Sequence, residues 1–370
     1  MTPDPARDGA SSKLVGIQVL RAAAALSVAA LHAEHDGKLR AAAAAGVSVS
    51  PSIFPWDAGV DVFFVISGFV MVYASGRLFG RKGAFREFLA RRIARIVPLY
   101  WLTTTLFLLV LALRPELVHS PPTTATAVVS SYLFLPFARP DGIVQPVYTL
   151  GWTLNYEMFF YGLFALALAL PRRLAVATAG AALGMLVLLG LAWGPLPQPL
   201  GFWTDTLLLE FAFGMALGLL RAEGVTLGLA PRLALALAAL LWLGWVGGDA
   251  ATTSALPRAL LFGLPAAALV AACGFAPSRA RSQESGWERA GTAVGDASYA
   301  VYLLHPFVIR AVGRTFDGAG LAVAIGPWGL ATLGLGATLL VSLGVFHWLE
   351  RPLTSRLGRL LARGPAPRSY

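Results

Sequence analysis

Residues 14–34 read LVGIQVLRAAAALSVAALHAE, an apolar run of membrane-spanning length with Arg21 inside it and His32 near its far end. A charge within a bilayer-spanning helix is expensive, so its presence points to function. Arg21 and His32 are eleven positions apart. At about 100° per residue that is roughly three turns plus 20°, so both side chains lie on one helical face, about 16 Å apart along the axis. Such a stripe needs protein to face, and this requirement organises the rest of the chain. The arginine and the many apolar runs that follow also argue against a cleaved signal peptide.

Only 13% of the 370 residues are charged and 57% are hydrophobic, with a mean hydropathy of +0.68. Soluble domains carry about 25% charged residues, so a soluble fold is excluded. Ten stretches are candidate spans: 14–33, 59–75, 98–113, 149–170, 174–193, 206–220, 232–247, 258–275, 297–314 and 327–349. The expected fold is all-α, a polytopic membrane bundle of about ten transmembrane helices. Several spans are short, which implies tilt. The apolar stretch 124–137 is shorter still and is expected to be re-entrant or interfacial. Residues 1–13 form a polar, disordered amino terminus, residues 14–350 the membrane domain, and residues 351–370 a tail. The single cysteine, Cys273, excludes a disulfide framework and is expected to be a buried, inert thiol.

The formal net charge of +10 does not call for nucleic acid. With the amino terminus in the cytoplasm, most basic residues fall on inner loops, Arg7, Lys13, Arg279, Arg281, Arg363 and Arg368 among them. The outer side receives Lys38, Arg40, Arg114, Arg139, Arg258, Arg310 and Arg314. That bias orients the bundle with both ends cytoplasmic.

A few polar residues then stand out. His32 is a suitable general base near neutral pH; its plainer role is an interfacial histidine satisfied by a backbone carbonyl. Asp61 opens the second span, placed to orient His32 or to pair with Arg21. Ser67 and Gly68 follow it as small residues that let helices approach. Arg91, Arg92 and Arg95 lie in a basic helical stretch, either an anchor on anionic lipid or a clamp for phosphate oxygens. Glu157 is a carboxylate well inside the fourth span, with Trp152, Asn155 and Tyr156 beside it; Trp152 and Tyr161 also suit an interfacial aromatic belt. Glu210 in the sixth span is a second buried acid, or a counter-ion for Arg21. His305 sits mid-span just before Pro306, in a pocket or in a structural hydrogen bond. His347, Glu350 and Arg351 close the last span and suggest a helix-end ion pair. No phosphate-binding glycine loop, paired-histidine zinc motif or serine nucleophile elbow is present.

These residues fall in motifs that resemble the acyltransferase-3 family of bacterial integral-membrane acyltransferases. The matching pieces are the Arg21–His32 pair, GVDVFFVISGFVM at 59–71, Arg91-Arg92-x-x-Arg95, GWTLNYEMFFY at 151–161, SYAVYLLHPF at 298–307 and LERP at 349–352. The fourth is most similar to the exopolysaccharide acetyltransferase branch. The resemblance implies a ten-helix core in the bacterial inner membrane and acyl transfer from acyl-CoA, usually acetyl-CoA, to a sugar hydroxyl. It implies His32 as a catalytic residue and Arg91, Arg92 and Arg95 as facing CoA. The catalytic candidates are therefore His32, Glu157 and Asp61. Candidates for substrate binding are Arg21, Trp152, Asn155, Tyr156, Glu210 and His305, and no metal site is expected. The expected partners are acyl-CoA, a carbohydrate or lipid-linked glycan acceptor, membrane lipid and polysaccharide-assembly proteins. The competing reading is a glycan or solute transporter whose Arg, His and Glu line a buried path.

Overall fold

A computed structural model describes residues 14–45, 52, 54–117, 123–194, 196–247, 256–277 and 284–362. The expected disordered amino terminus, the end of the tail from residue 363, and the basic residues Arg7, Lys13, Arg279, Arg281, Arg363 and Arg368 lie outside the described residues. The fold is all-α, and each of the ten expected spans falls on a helix. The helices are α1 (Val15–Ala45), α2 (Ala58–Ala74), α3 (Ala84–Leu113), α4 (Ala125–Tyr132), α5 (Trp152–Ala167), α6 (Arg172–Trp193), α7 (Leu208–Ala222) and α8 (Leu229–Val246). They continue with α9 (Leu264–Gly274), α10 (Gly286–Asp296), α11 (Ser298–Gly318), α12 (Ala322–Val345) and α13 (Arg351–Ala362). By length and composition, five of the described helices can cross a bilayer unaided: α1, α3, α6, α8 and the continuous run Ala324–Leu361 that joins α12 to α13. Of the others, α2 is shorter, at 17 residues, and the 21-residue α11 carries Arg310, Arg314 and Asp317.

Large apolar side chains point outward from these helices. Leu191 on α6, Leu237 on α8 and Leu340 on α12 are all exposed, and Trp193, Trp245 and Trp348 are exposed near helix ends. That distribution suits lipid around the barrel of helices and an aromatic belt at its rims. The interior is aromatic where α2, α5 and α7 meet. Phe211 lies against Phe160 (ring centroids 4.4 Å apart) and Phe64 (4.9 Å).

Glycine sets the close crossing of α2 and α7. A side chain at Gly68 on α2 would overlap the Phe211 carbonyl, and one at Gly214 on α7 would overlap the Val65 carbonyl. Gly214 and Gly218 form the small-xxx-small spacing that lets two membrane helices meet backbone to backbone.

Proline shapes other helices. Pro265 has no N–H for the Leu261 carbonyl, and the chain widens into a π turn over Ala259–Gly263. Trp242 Nε1 from α8 donates to that carbonyl at 2.9 Å. Pro352 similarly follows a π turn over Phe346–Glu350.

The structure adds detail to three local expectations. The basic stretch and the third span are one 30-residue helix, α3, which runs through Pro98. Residues 124–137 form the short α4 and a turn, docked on α3 by Trp101 Nε1 donating to the Tyr132 carbonyl at 3.0 Å. Cys273 is half-buried.

Candidate active site

Five helices, α1, α2, α3, α5 and α11, surround a cavity of about 110 Å³. Arg21, Arg92, Arg95 and Glu157 line it with Tyr161 and Ser298. Arg21 donates from Nη2 to Ser298 Oγ at 2.9 Å and from Nη1 to Gln18 Oε1 at 3.3 Å. The Arg92 guanidinium lies over the rings of Phe88 (5.5 Å) and Tyr161 (5.9 Å), a cation–π setting that shields it without neutralising it. Its Nε is buried without a partner. Glu157 is within electrostatic reach of all three arginines.

Arg91 is not part of this group. It is exposed and ion-paired with Glu87 on its own helix. Helical geometry explains the split. At about 100° per residue, Arg92, Arg95 and Ile96 centre on a line about a quarter turn away from Arg91. A triplet that the sequence groups together thus divides into two cavity residues and one surface residue.

Glu350 joins the cluster instead. It is only 5% exposed, and its charge is felt by Arg95 and Arg21. Among the described residues the expected ion pair with Arg351 is not formed; Arg351 and His347 face outward. The π turn before Pro352 rotates Glu350 off the outer face.

The histidines meet outside the cavity lining. His32 on α1 stacks on His305 of α11, with centroids 4.8 Å apart and planes 17° apart. His32 is half-buried and His305 fully buried. His305 Nδ1 lies 3.1 Å from the Val301 carbonyl. A carbonyl only accepts, so the bond assigns the proton to Nδ1 and leaves the lone pair on Nε2. That Nε2 is buried with no partner. Arg21 and His32 share α1, but only Arg21 borders the cavity.

Asp61 pairs with neither Arg21 nor His32. Arg258, at the start of the π turn before α9, grips it with a fork: Nε to Oδ1 at 2.9 Å and Nη2 to Oδ2 at 2.7 Å. Arg258 also reaches Asp57 Oδ2 at 3.0 Å and lies over the Phe262 ring. Glu210 faces this same group, not Arg21, and packs against Gly263, where a side chain would collide with it. Arg258 stands alone before an apolar run and carries no motif, so the sequence offered no sign of its partner.

Trp152, Asn155 and Tyr156 do not border the cavity. Tyr156 stacks on Phe202 at 3.9 Å, and Trp152 meets Phe64 and Tyr156 edge-on. Asn155 is buried with its Oδ1 unpartnered. Among the described residues no three His, Cys, Asp or Glu side chains gather closely enough to hold a metal ion.

The arginine cavity and the histidine pair are built from the motifs named above, which lie within the segment that the family comparison covers. The family model of the acyltransferase domain, acyltransferase-3, matches residues 14–347. The chain belongs to the acyltransferase-3 family. It is 34% identical over 310 residues to the exopolysaccharide production protein ExoZ of Rhizobium meliloti (strain 1021), covering 81% of this chain and 90% of that protein. No solved structure matches it. The chain is thus a membrane acyltransferase by family, and the clustered arginines and histidines occupy the interior of its bundle.

Proposed function

We propose that the protein is an O-acyltransferase of the bacterial inner membrane, with both termini cytoplasmic. It moves an acyl group, acetyl in the first instance, from cytoplasmic acyl-CoA to a hydroxyl of an exported carbohydrate. The observation that carries this reading is the arrangement of charge: guanidinium groups of Arg21, Arg92 and Arg95 around a cavity, with His32 farther along α1. Arginine forks suit phosphate oxygens, and a polyanionic donor has use for three of them. A solute carrier has no evident use for such a cluster. The similarity to ExoZ supports an exopolysaccharide as acceptor.

In the reaction His32 accepts the proton of the acceptor hydroxyl. The hydroxyl oxygen attacks the thioester carbon, the C–O bond forms and the C–S bond breaks. The proton then passes from the imidazolium to the departing thiolate, leaving an ester and free CoA. Glu157, among the arginines, balances their charge while the donor is absent. Asp61 acts through Arg258 to hold α2 against the start of α9.

The test is acetyl transfer in membranes supplied with radiolabelled acetyl-CoA, comparing the native chain with His32→Ala at equal expression. Label entering a polysaccharide or lipid-linked fraction only with the native chain is the expected result. Equal labelling by both would remove His32 from the chemistry.

A further inference from the structure

The histidines are not part of the cavity lining, but two aromatic rings of that lining, Phe63 and Tyr302, meet each other, and Tyr302 meets His305. Phe63 of α2 and Tyr302 of α11 both line the cavity, whereas His32 and His305 do not. The two rings meet edge-on with centroids 6.2 Å apart. On the far side, Tyr302 lies 6.2 Å from the His305 ring, which carries His32 in turn. Phe63 packs against the small cluster of Ala25, Ala29 and Val301. Ala29 is about one helical turn before His32 on α1, so Phe63 sits at the level between Arg21 and His32.

The two rings are held differently. Tyr302 is buried, and its hydroxyl donates to the Leu150 carbonyl at 3.0 Å and lies 2.9 Å from Thr153 Oγ1. Phe63 is half-buried and packs on Ala25, Ala29 and Val301, and its phenyl ring has no group with which to make a hydrogen bond. Tyr302 is the fixed wall of the passage and Phe63 the adjustable one.

We propose that Phe63 sets the length of the acyl group that this enzyme transfers. A thioester coming from the arginine end must pass between Phe63 and Tyr302 to reach His32, and the phenyl ring leaves room for acetyl or propionyl but not for longer chains. The inference rests on the acyl-CoA reading above and adds to it a residue and a donor class. Discrimination of this kind is worth about 10-fold or more per methylene in an apolar pocket.

The test uses native membranes that contain the full chain and its acceptor, supplied with acetyl-, propionyl-, butyryl- and hexanoyl-CoA. Thiol release and incorporated label are measured for the native chain, Phe63→Leu and Phe63→Ala. The native chain should prefer acetyl and propionyl. Phe63→Ala should raise the hexanoyl-to-acetyl ratio by about 10-fold or more, and Phe63→Leu by less. Phe63→Leu keeps most of the apolar volume and carries the test if the alanine variant does not fold. An unchanged ratio in the folded variants, or a native chain that uses hexanoyl-CoA as well as acetyl-CoA, would overturn the role of Phe63 and leave acyl transfer standing. No thiol release from any acyl-CoA by the native chain would instead overturn the donor reading, and this inference with it.

Discussion

Replacing Arg258 by methionine tests its ion cluster separately from the cavity. Asp61 has no solvent exposure, and both of its carboxylate oxygens accept from Arg258, at 2.9 and 2.7 Å. A third bond goes to Asp57 at 3.0 Å. Methionine keeps much of the side-chain volume, so the loss is mainly charge and hydrogen bonds. Removing one partner of a buried pair leaves the other charge uncompensated, which costs about 3–5 kcal/mol. Arg258→Met should therefore lower unfolding free energy by about that amount, read by denaturant titration of the purified protein in mixed micelles. Asp61→Asn removes the stranded charge, so the double variant should recover part of the loss, with a coupling energy of about 0.5–3 kcal/mol. Because Asp61 and Arg258 do not border the arginine cavity, acyl-CoA affinity of the folded fraction should stay within about twofold. A loss below about 1 kcal/mol with additive single effects would refute the clamp. A collapse of donor affinity at full stability would refute its separation from the cavity.

The remaining predictions follow from the same geometry. Arg92→Met and Arg95→Met should each weaken acyl-CoA binding about tenfold or more in a calorimetric titration, since charge-assisted bonds contribute about 1.5–3 kcal/mol; Arg91→Ala, exposed and paired with Glu87, should change it by less than about twofold. Gly214→Ala places a methyl group on the Val65 carbonyl and should lower stability by about 1–3 kcal/mol, seen as a lower melting temperature. His305→Phe keeps a ring beside His32 but deletes the buried lone pair on Nε2. It should fold at least as stably while acyl transfer falls about tenfold, and a fully active variant would show that the histidine serves only as a stacking surface.

Much of the fold was legible because its causes are local in sequence. Span length and composition exclude water as the surrounding solvent. The spacing of Arg21 and His32 sets them on one face of α1 without reference to any other helix. The Ser67–Gly68 pair in the second span announces a close approach of helices, which Gly68 makes to Phe211. The division of the Arg91, Arg92 and Arg95 group is also helical geometry, but its outcome needed the direction of the cavity, which neighbouring helices supply.

Partners across the bundle are different in kind. Arg21 finds Ser298, 277 residues away, and Asp61 finds Arg258, 197 residues away. Nothing in either segment encodes the other, so Asp61 appeared free to orient His32 or to pair with Arg21. Glu350 appeared to belong to a surface ion pair until the π turn rotated it inward. The sequence alone determined that this is a membrane bundle with a polar stripe, since burial in lipid and helical periodicity act on consecutive residues. Only the tertiary structure decided which charge meets which, that two histidines stack, and that Phe63 and Tyr302 meet on the wall of the arginine cavity. Those contacts depend on how separate helices pack, and packing is a property of the whole chain.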